Sequence, residues 1–263
     1  MWLKTQCELK FEIEIPTTFI LMLRPRSGEQ QWISSEEYLI SPSISVYEFT
    51  DDFGNLCQRL VAPAGDFTIS TSARIMTADT VDMLPGGAFV DVHCLPDNVL
   101  KYLLPSRYCE SDRFNTMAKE ITANQLPGYD QVAEIERWLR SNIQFSPGSS
   151  LLPLSAVEIN QAGVGVCRDL SHLGIALCRS LSIPARMVVG YLHNLEPMDL
   201  HAWFEAFVAG RWYIFDATQA SKQSGYVSIG YGRDAADVAI YNQFGPPVLP
   251  TDQKVSVEKI QPG

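Results

Sequence analysis

Over the first third of the chain, apolar and polar residues alternate, or β-branched residues cluster, in short runs. These are CELKFEIEI from Cys7, PTTFILMLRP from Pro16, SISVYEFTD from Ser43, NLCQRLVAP from Asn55 and GDFTISTSARIM from Gly65. Clusters of Gly, Pro, Asp and Asn separate them, which is strand and turn patterning. The pattern predicts a small antiparallel β-sandwich over residues 1–95, and no catalytic constellation falls within it. The stretch from Asp97 is broken by Pro105, Pro127 and Gly128, and reads as a connection with short helical pieces. Beyond it, Val132, Ile135, Trp138 and Leu139 recur at helical spacing, with Asp130 available as N-cap. A polar loop with Pro147, Gly148 and Pro153 follows.

Gly163 and Gly165 lead into Cys167. After it, Leu170, Leu173, Gly174, Leu177 and Leu181 form an apolar stripe that ends before Pro184. Cys167 is thereby placed in the first turn of a buried helix. ARMVVGYL reads as a strand, and HAWFEAFVAGRWYIFDAT as a hairpin turning at Ala209-Gly210. A two-residue turn pairs Val208 with Arg211 and, by extension, Trp203 with Asp216. His201, Trp203 and Asp216 then share a face. The tail after Phe244, rich in Pro, Gln and charge, is expected to be partly disordered. The expected division is 1–95 for the β-sandwich, 96–245 for the core with its connecting segment, and 246–263 for the tail.

Composition narrows the function classes. The 263 residues are 46% apolar and 19% charged, as in ordinary globular proteins. A net charge of −10 with no basic run speaks against nucleic acid, whose binding relies on phosphate neutralisation. No stretch approaches the roughly 20 apolar residues of a membrane span. MWLKTQCELKFEIEI does not read as a signal peptide, so the expected setting is cytoplasmic and reducing. Six cysteines without a CxxC pair are neither a zinc module nor a disulfide framework. His93 beside Cys94 has no further ligand at suitable spacing, so neither metal nor cofactor is called for.

Cys167, His201 and Asp216 together offer a distinct chemistry. A thiol attacks carbonyls as thiolate, and a helix N-terminus and an imidazolium both favour that form. His201 would hold the thiolate and give its proton to a departing amine, while Asp216 would orient the ring. The backbone amide of Cys167 could supply one oxyanion donor.

The run GVGVCRDLSHLGIALCRSLSIPARMVVGYL resembles the cysteine motif of the transglutaminase-like superfamily, and HAWFEAFVAGRWYIFDAT resembles its His-Ala-Trp and Asp-x-Thr motifs. YVSIGYGRDAADVA is similar to a segment common in bacterial members, and the β-rich first third to the domain preceding the core in those members. The resemblance implies a Cys-His-Asp triad at Cys167, His201 and Asp216 on a papain-like α+β core. Ala217 stands where many members have Pro. The implied activity is acyl transfer through a thioester on a protein or peptide substrate. Hydrolysis by a cysteine protease or amidase is favoured over transamidation, since no calcium loop of a regulated crosslinker is evident. The alternative is a catalytically silent peptide-binding or assembly module.

Other polar residues are weighed against that centre. His172 lies about 140° around the helix from Cys167, which argues against it as the base. With Asp169 it is assigned to structural support or substrate contact. Trp203 is assigned to packing with partial exposure to the pocket. His193 reads as a loop histidine, and Arg186 and Arg233 as loop anchors with carboxylate partners.

Overall fold

A computed structural model describes residues 1–221 and 223–261. The alternating N-terminal runs form strands β1 (Trp2–Ile13), β2 (Thr17–Leu21), β4 (Tyr47–Thr50), β5 (Leu56–Ala62) and β6 (Gly65–Thr77). A further strand, β3 (Gln31–Ser41), has a largely exposed and polar sequence, which hid it from periodicity. The connection carries short helices α1 (Asp97–Leu100) and α2 (Asn115–Ile121). The core then comprises α3 (Tyr129–Asn142), β7 (Gln144–Phe145), α4 (Ala156–Ala162), β8 (Val164–Gly165), α5 (Cys167–Ser180), β9 (Ala185–Leu192), β10 (His201–Val208), β11 (Arg211–Phe215) and β12 (Tyr226–Gly232). Two last strands are β13 (Tyr241–Phe244) and β14 (Asp252–Lys259).

The fold is α+β, with a β-sandwich beside a helix-and-sheet core. One sandwich sheet has the order β14-β1-β6-β3 and the other β13-β2-β5-β4. Their facing sides meet through Phe11, Phe67, Phe19 and Tyr241, with ring centroids 5.4 Å to 6.3 Å apart. The tail expected to be partly disordered is instead ordered in β14, which pairs with β1 from Leu3↔Lys259 to Lys10↔Asp252. Its alternation is weak because only Val257 is buried. Short-range pattern cannot reveal that the chain returns to an edge laid down by its first residues.

The core sheet has the order β11-β10-β9-β12, and α5 lies against β9 and β10. The expected apolar stripe is only part of the α5 surface in contact. Every residue from Asp169 to Arg179 is buried, because α2, α3 and α4 cover the remaining sides. α3 begins behind Gly128, not at Asp130. The Asp130 carboxylate is engaged elsewhere, accepting the Gly86 N–H at 2.9 Å.

β12 is an edge strand of the core sheet, and side chains of the sandwich occupy its open edge. Gln31 accepts the Ser228 N–H and donates to the Ser228 carbonyl, both at 2.8 Å. Asn55 does the same for Tyr231 at 2.8 Å and 2.7 Å, and the Thr77 hydroxyl donates to the Tyr226 carbonyl at 3.1 Å. Two side-chain amides thus stand in for a missing strand, satisfying groups that would otherwise be costly to bury.

Candidate active site

Cys167 is the first residue of α5 and is half-buried. The start of the helix is set by Asp169, whose Oδ2 accepts the Val166 N–H at 3.2 Å in the manner of a capping box. Asp169 is fully buried and also accepts from the Leu154 amide at 3.1 Å, Arg168 Nε at 3.0 Å and the Ser150 hydroxyl. Arg168 adds donations to Ser150 and to the Leu152 carbonyl. Asp169 therefore ties the 150–154 loop to the helix end that carries the thiol.

His201 opens β10 and Asp216 follows β11. The hairpin turns at Ala209 and Gly210, with φ +50° and +84°, and pairs Val208 with Arg211 through to Phe204 with Phe215. Both turn residues have the left-handed φ of a type I′ turn. That register brings His201 and Asp216 together. The His201 Nε2–H donates to Asp216 Oδ2 at 2.6 Å, and both side chains are buried. With Nε2 so engaged, Nδ1 is the ring nitrogen left for the Cys167 thiol, which lies close enough to act on the charge of the imidazole.

Electrostatics favours a charged imidazole. Burial alone would lower its pKa, but the charge and hydrogen bond of Asp216, with a contribution from Cys167, raise it to about 10. Burial works against the Asp216 carboxylate too, yet His201 and two donations from Thr218 hold it below its ordinary value. Those donations, from the amide at 3.0 Å and the hydroxyl at 2.7 Å, go to Oδ1.

The main chain of Asp216 is also fixed. Its N–H donates to Oε1 of buried Glu136 at 2.7 Å, and its carbonyl accepts from Arg140 at 3.3 Å. Sequence reading missed both residues. The signal was Glu136 itself, a carboxylate four residues after Val132 on the buried face of α3. It also missed Tyr226, which donates to Asp216 Oδ2 at 2.9 Å.

Other expectations resolve by contact. His172 is buried, its Nδ1–H donating to the Leu154 carbonyl at 2.7 Å and its Nε2 accepting the Ala235 N–H at 3.2 Å. Burial lowers its pKa, and its ring stacks on Tyr108 at 5.2 Å. His172 and Asp169 are thus placed for structural support. Trp203 does not have the expected partial exposure. It is wholly buried beside His201 and Tyr226, in an apolar cluster against which Val81, Met198 and Ile214 pack from three separate segments. Arg186 pairs with buried Glu205 at 2.6 Å, between the rings of Trp212 and Tyr231. Arg233 pairs with Asp237 at 2.7 Å. His193 is partly exposed in its loop. Among the described residues no group of His, Cys, Asp and Glu is arranged to hold a metal ion, and no helix is long and apolar enough to cross a membrane.

Comparison with known proteins places this geometry in a family. The family model of the transglutaminase-like superfamily core matches residues 115–217, which include Cys167, His201 and Asp216. The crystal structure of a candidate cysteine protease from Cytophaga hutchinsonii is similar over 100% of this chain and 92% of its own, with 35% identity and a TM-score of 0.92. An uncharacterised Mycobacterium leprae protein is 28% identical over 253 residues, 90% of this chain and 89% of its own. The chain belongs to the transglutaminase-like superfamily.

Proposed function

We propose that this protein is a cysteine-dependent acyl-transfer enzyme acting on peptide or glutamine-type amide bonds, with hydrolysis as its main outcome. The observation that carries the reading is the buried His201–Asp216 pair at 2.6 Å, with Cys167, at a helix N-terminus, acting on the charge of the imidazole. Likeness to the candidate cysteine protease from Cytophaga hutchinsonii supports it.

In the proposed reaction the Cys167 thiolate attacks the carbonyl carbon, forming a C–S bond as the carbonyl electron pair moves to oxygen. The helix N-terminus favours both the thiolate and the oxyanion, and the Cys167 N–H, a first-turn amide without an intrahelical acceptor, is one oxyanion donor. Collapse expels the amine, which leaves with the proton of His201, and a thioester remains. Neutral His201 then accepts a proton from water as the water oxygen attacks the thioester. A second collapse releases the carboxylic acid and restores thiolate and imidazolium. Asp216 holds the ring through both steps by accepting from Nε2.

The test is a mixed assay on an unfolded glutamine-rich protein, reading ammonia, new chain termini and incorporation of a fluorescent primary amine together. Hydrolytic products in excess, all lost in Cys167→Ala, are expected. Amine incorporation in excess sinks the hydrolytic assignment, and indifference to Cys167→Ala sinks the enzyme reading in favour of a silent peptide-binding module.

A further inference from the structure

The Asp216 carboxylate takes four hydrogen bonds, and one comes from well outside the motif. Thr218 occupies Oδ1 twice, while Oδ2 is shared by His201 Nε2–H at 2.6 Å and the Tyr226 hydroxyl at 2.9 Å. A carboxylate has about four lone-pair sites, so the group is saturated and cannot turn without breaking a bond. The Tyr226 ring is buried and packs edge-on against Trp203 at 4.9 Å, and Trp203 lies 6.0 Å from the His201 ring. Burial and the charge of Asp216 keep the phenol far above its ordinary pKa, so it is a permanent donor.

The sandwich sets Tyr226 in turn. Its carbonyl accepts from Thr77 of β6, and two residues along β12 the backbone of Ser228 is clasped by Gln31 of β3. Tyr226 also borders a cavity of about 460 Å³, with Trp32, Trp212 and Ile214, that neither Cys167 nor His201 lines. Its path to the thiol therefore runs through Asp216 and Trp203.

We propose that Tyr226 is a positioning residue that keeps Oδ2 of Asp216 aimed at Nε2 of His201, and that the N-terminal sandwich serves the site by fixing the strand that carries Tyr226. The inference rests on the proposed role of Cys167, His201 and Asp216 as one catalytic unit. Losing a hydrogen bond to the charged form lifts a carboxyl pKa by about one unit.

The experiment measures the rate of Cys167 alkylation by limiting iodoacetamide from pH 4 to 9, by mass spectrometry, in wild type, His201→Ala and Tyr226→Phe. The phenylalanine retains the ring packed on Trp203, so the variant loses only the hydroxyl. Wild-type Cys167 is expected to label fast below pH 7, and His201→Ala to label slowly. Tyr226→Phe is expected to slow Cys167 labelling several-fold near pH 4, where an Asp216 carboxylate that has lost a donor begins to take up a proton, and to leave the wild-type rate above pH 8. A Tyr226→Phe profile that superimposes on wild type, or falls equally at every pH, overturns the positioning role while His201→Ala leaves the proposed function standing. If wild-type Cys167 labels no faster than the other cysteines and His201→Ala changes nothing, the proposed function falls and this inference falls with it.

Discussion

His201 and Asp216 stabilise each other only while both are charged, which fixes a pH window. The Asp216 contribution is present above the ordinary carboxyl pKa and is lost as pH falls through its depressed value in the fold. That of His201 is complete below about pH 6.5 and is lost as pH rises through about 10. The pair therefore contributes most between roughly pH 4 and 6.5. Asp216→Asn leaves the imidazole without its counter-charge, and breaking a buried pair costs about 3–5 kcal/mol. Urea unfolding of wild type and Asp216→Asn should differ most near pH 5–6 and converge toward pH 10. A difference that stays constant over that range would show that the aspartate acts by packing alone.

At the level of elements, the approach of α5 to β10 decides whether thiol and imidazole meet. Gly174 marks the contact, since a Cβ there would lie 2.7 Å from Phe204 Cε1. Phe204 is buried and stacked on Phe215 at 5.7 Å, so it cannot step aside. Alanine in a helix is favoured over glycine by about 1 kcal/mol, but overpacking a tight core costs about 1–3 kcal/mol. Gly174→Ala is expected to lower the denaturation midpoint and to slow Cys167 alkylation as α5 is pushed from the sheet. A variant that is more stable than wild type would place the contact outside the critical packing. The β10–β11 hairpin, by contrast, is closed locally by a two-residue turn in which Gly210 takes its positive φ freely and Ala209 is held at φ +50°.

Across the whole molecule, the chain's last strands complete its first domain. β13 extends the sheet of β2, and β14 covers the edge of β1. An uncovered twelve-residue strand is a template for pairing between molecules. Removal of residues 251–263 should lower the thermal midpoint and produce concentration-dependent aggregation, read by light scattering on heating. A truncated chain as stable and monodisperse as the full one would deny β14 that role. The sandwich in turn clasps β12 through Gln31 and Asn55, so sheet completion and the candidate site are mechanically linked.

What local pattern dictates, the sequence determined alone. The α5 span follows from its apolar stripe and Pro184, the hairpin register from a two-residue turn, and the meeting of His201 and Asp216 from that register. Motif resemblance marked Cys167, His201 and Asp216, and of these the fold joins His201 directly to Asp216. Contacts between distant segments left no local signature and were decided by tertiary structure. Glu136, Arg140 and Tyr226 reach Asp216 from a helix and a strand 76–80 and 10 residues away in sequence. The neutral clamp of His172, the full burial of Trp203 and the return of β14 to β1 depend likewise on which surfaces meet. Periodicity reports which face of an element is apolar, while the partner of a buried polar group is settled only when the elements close around it.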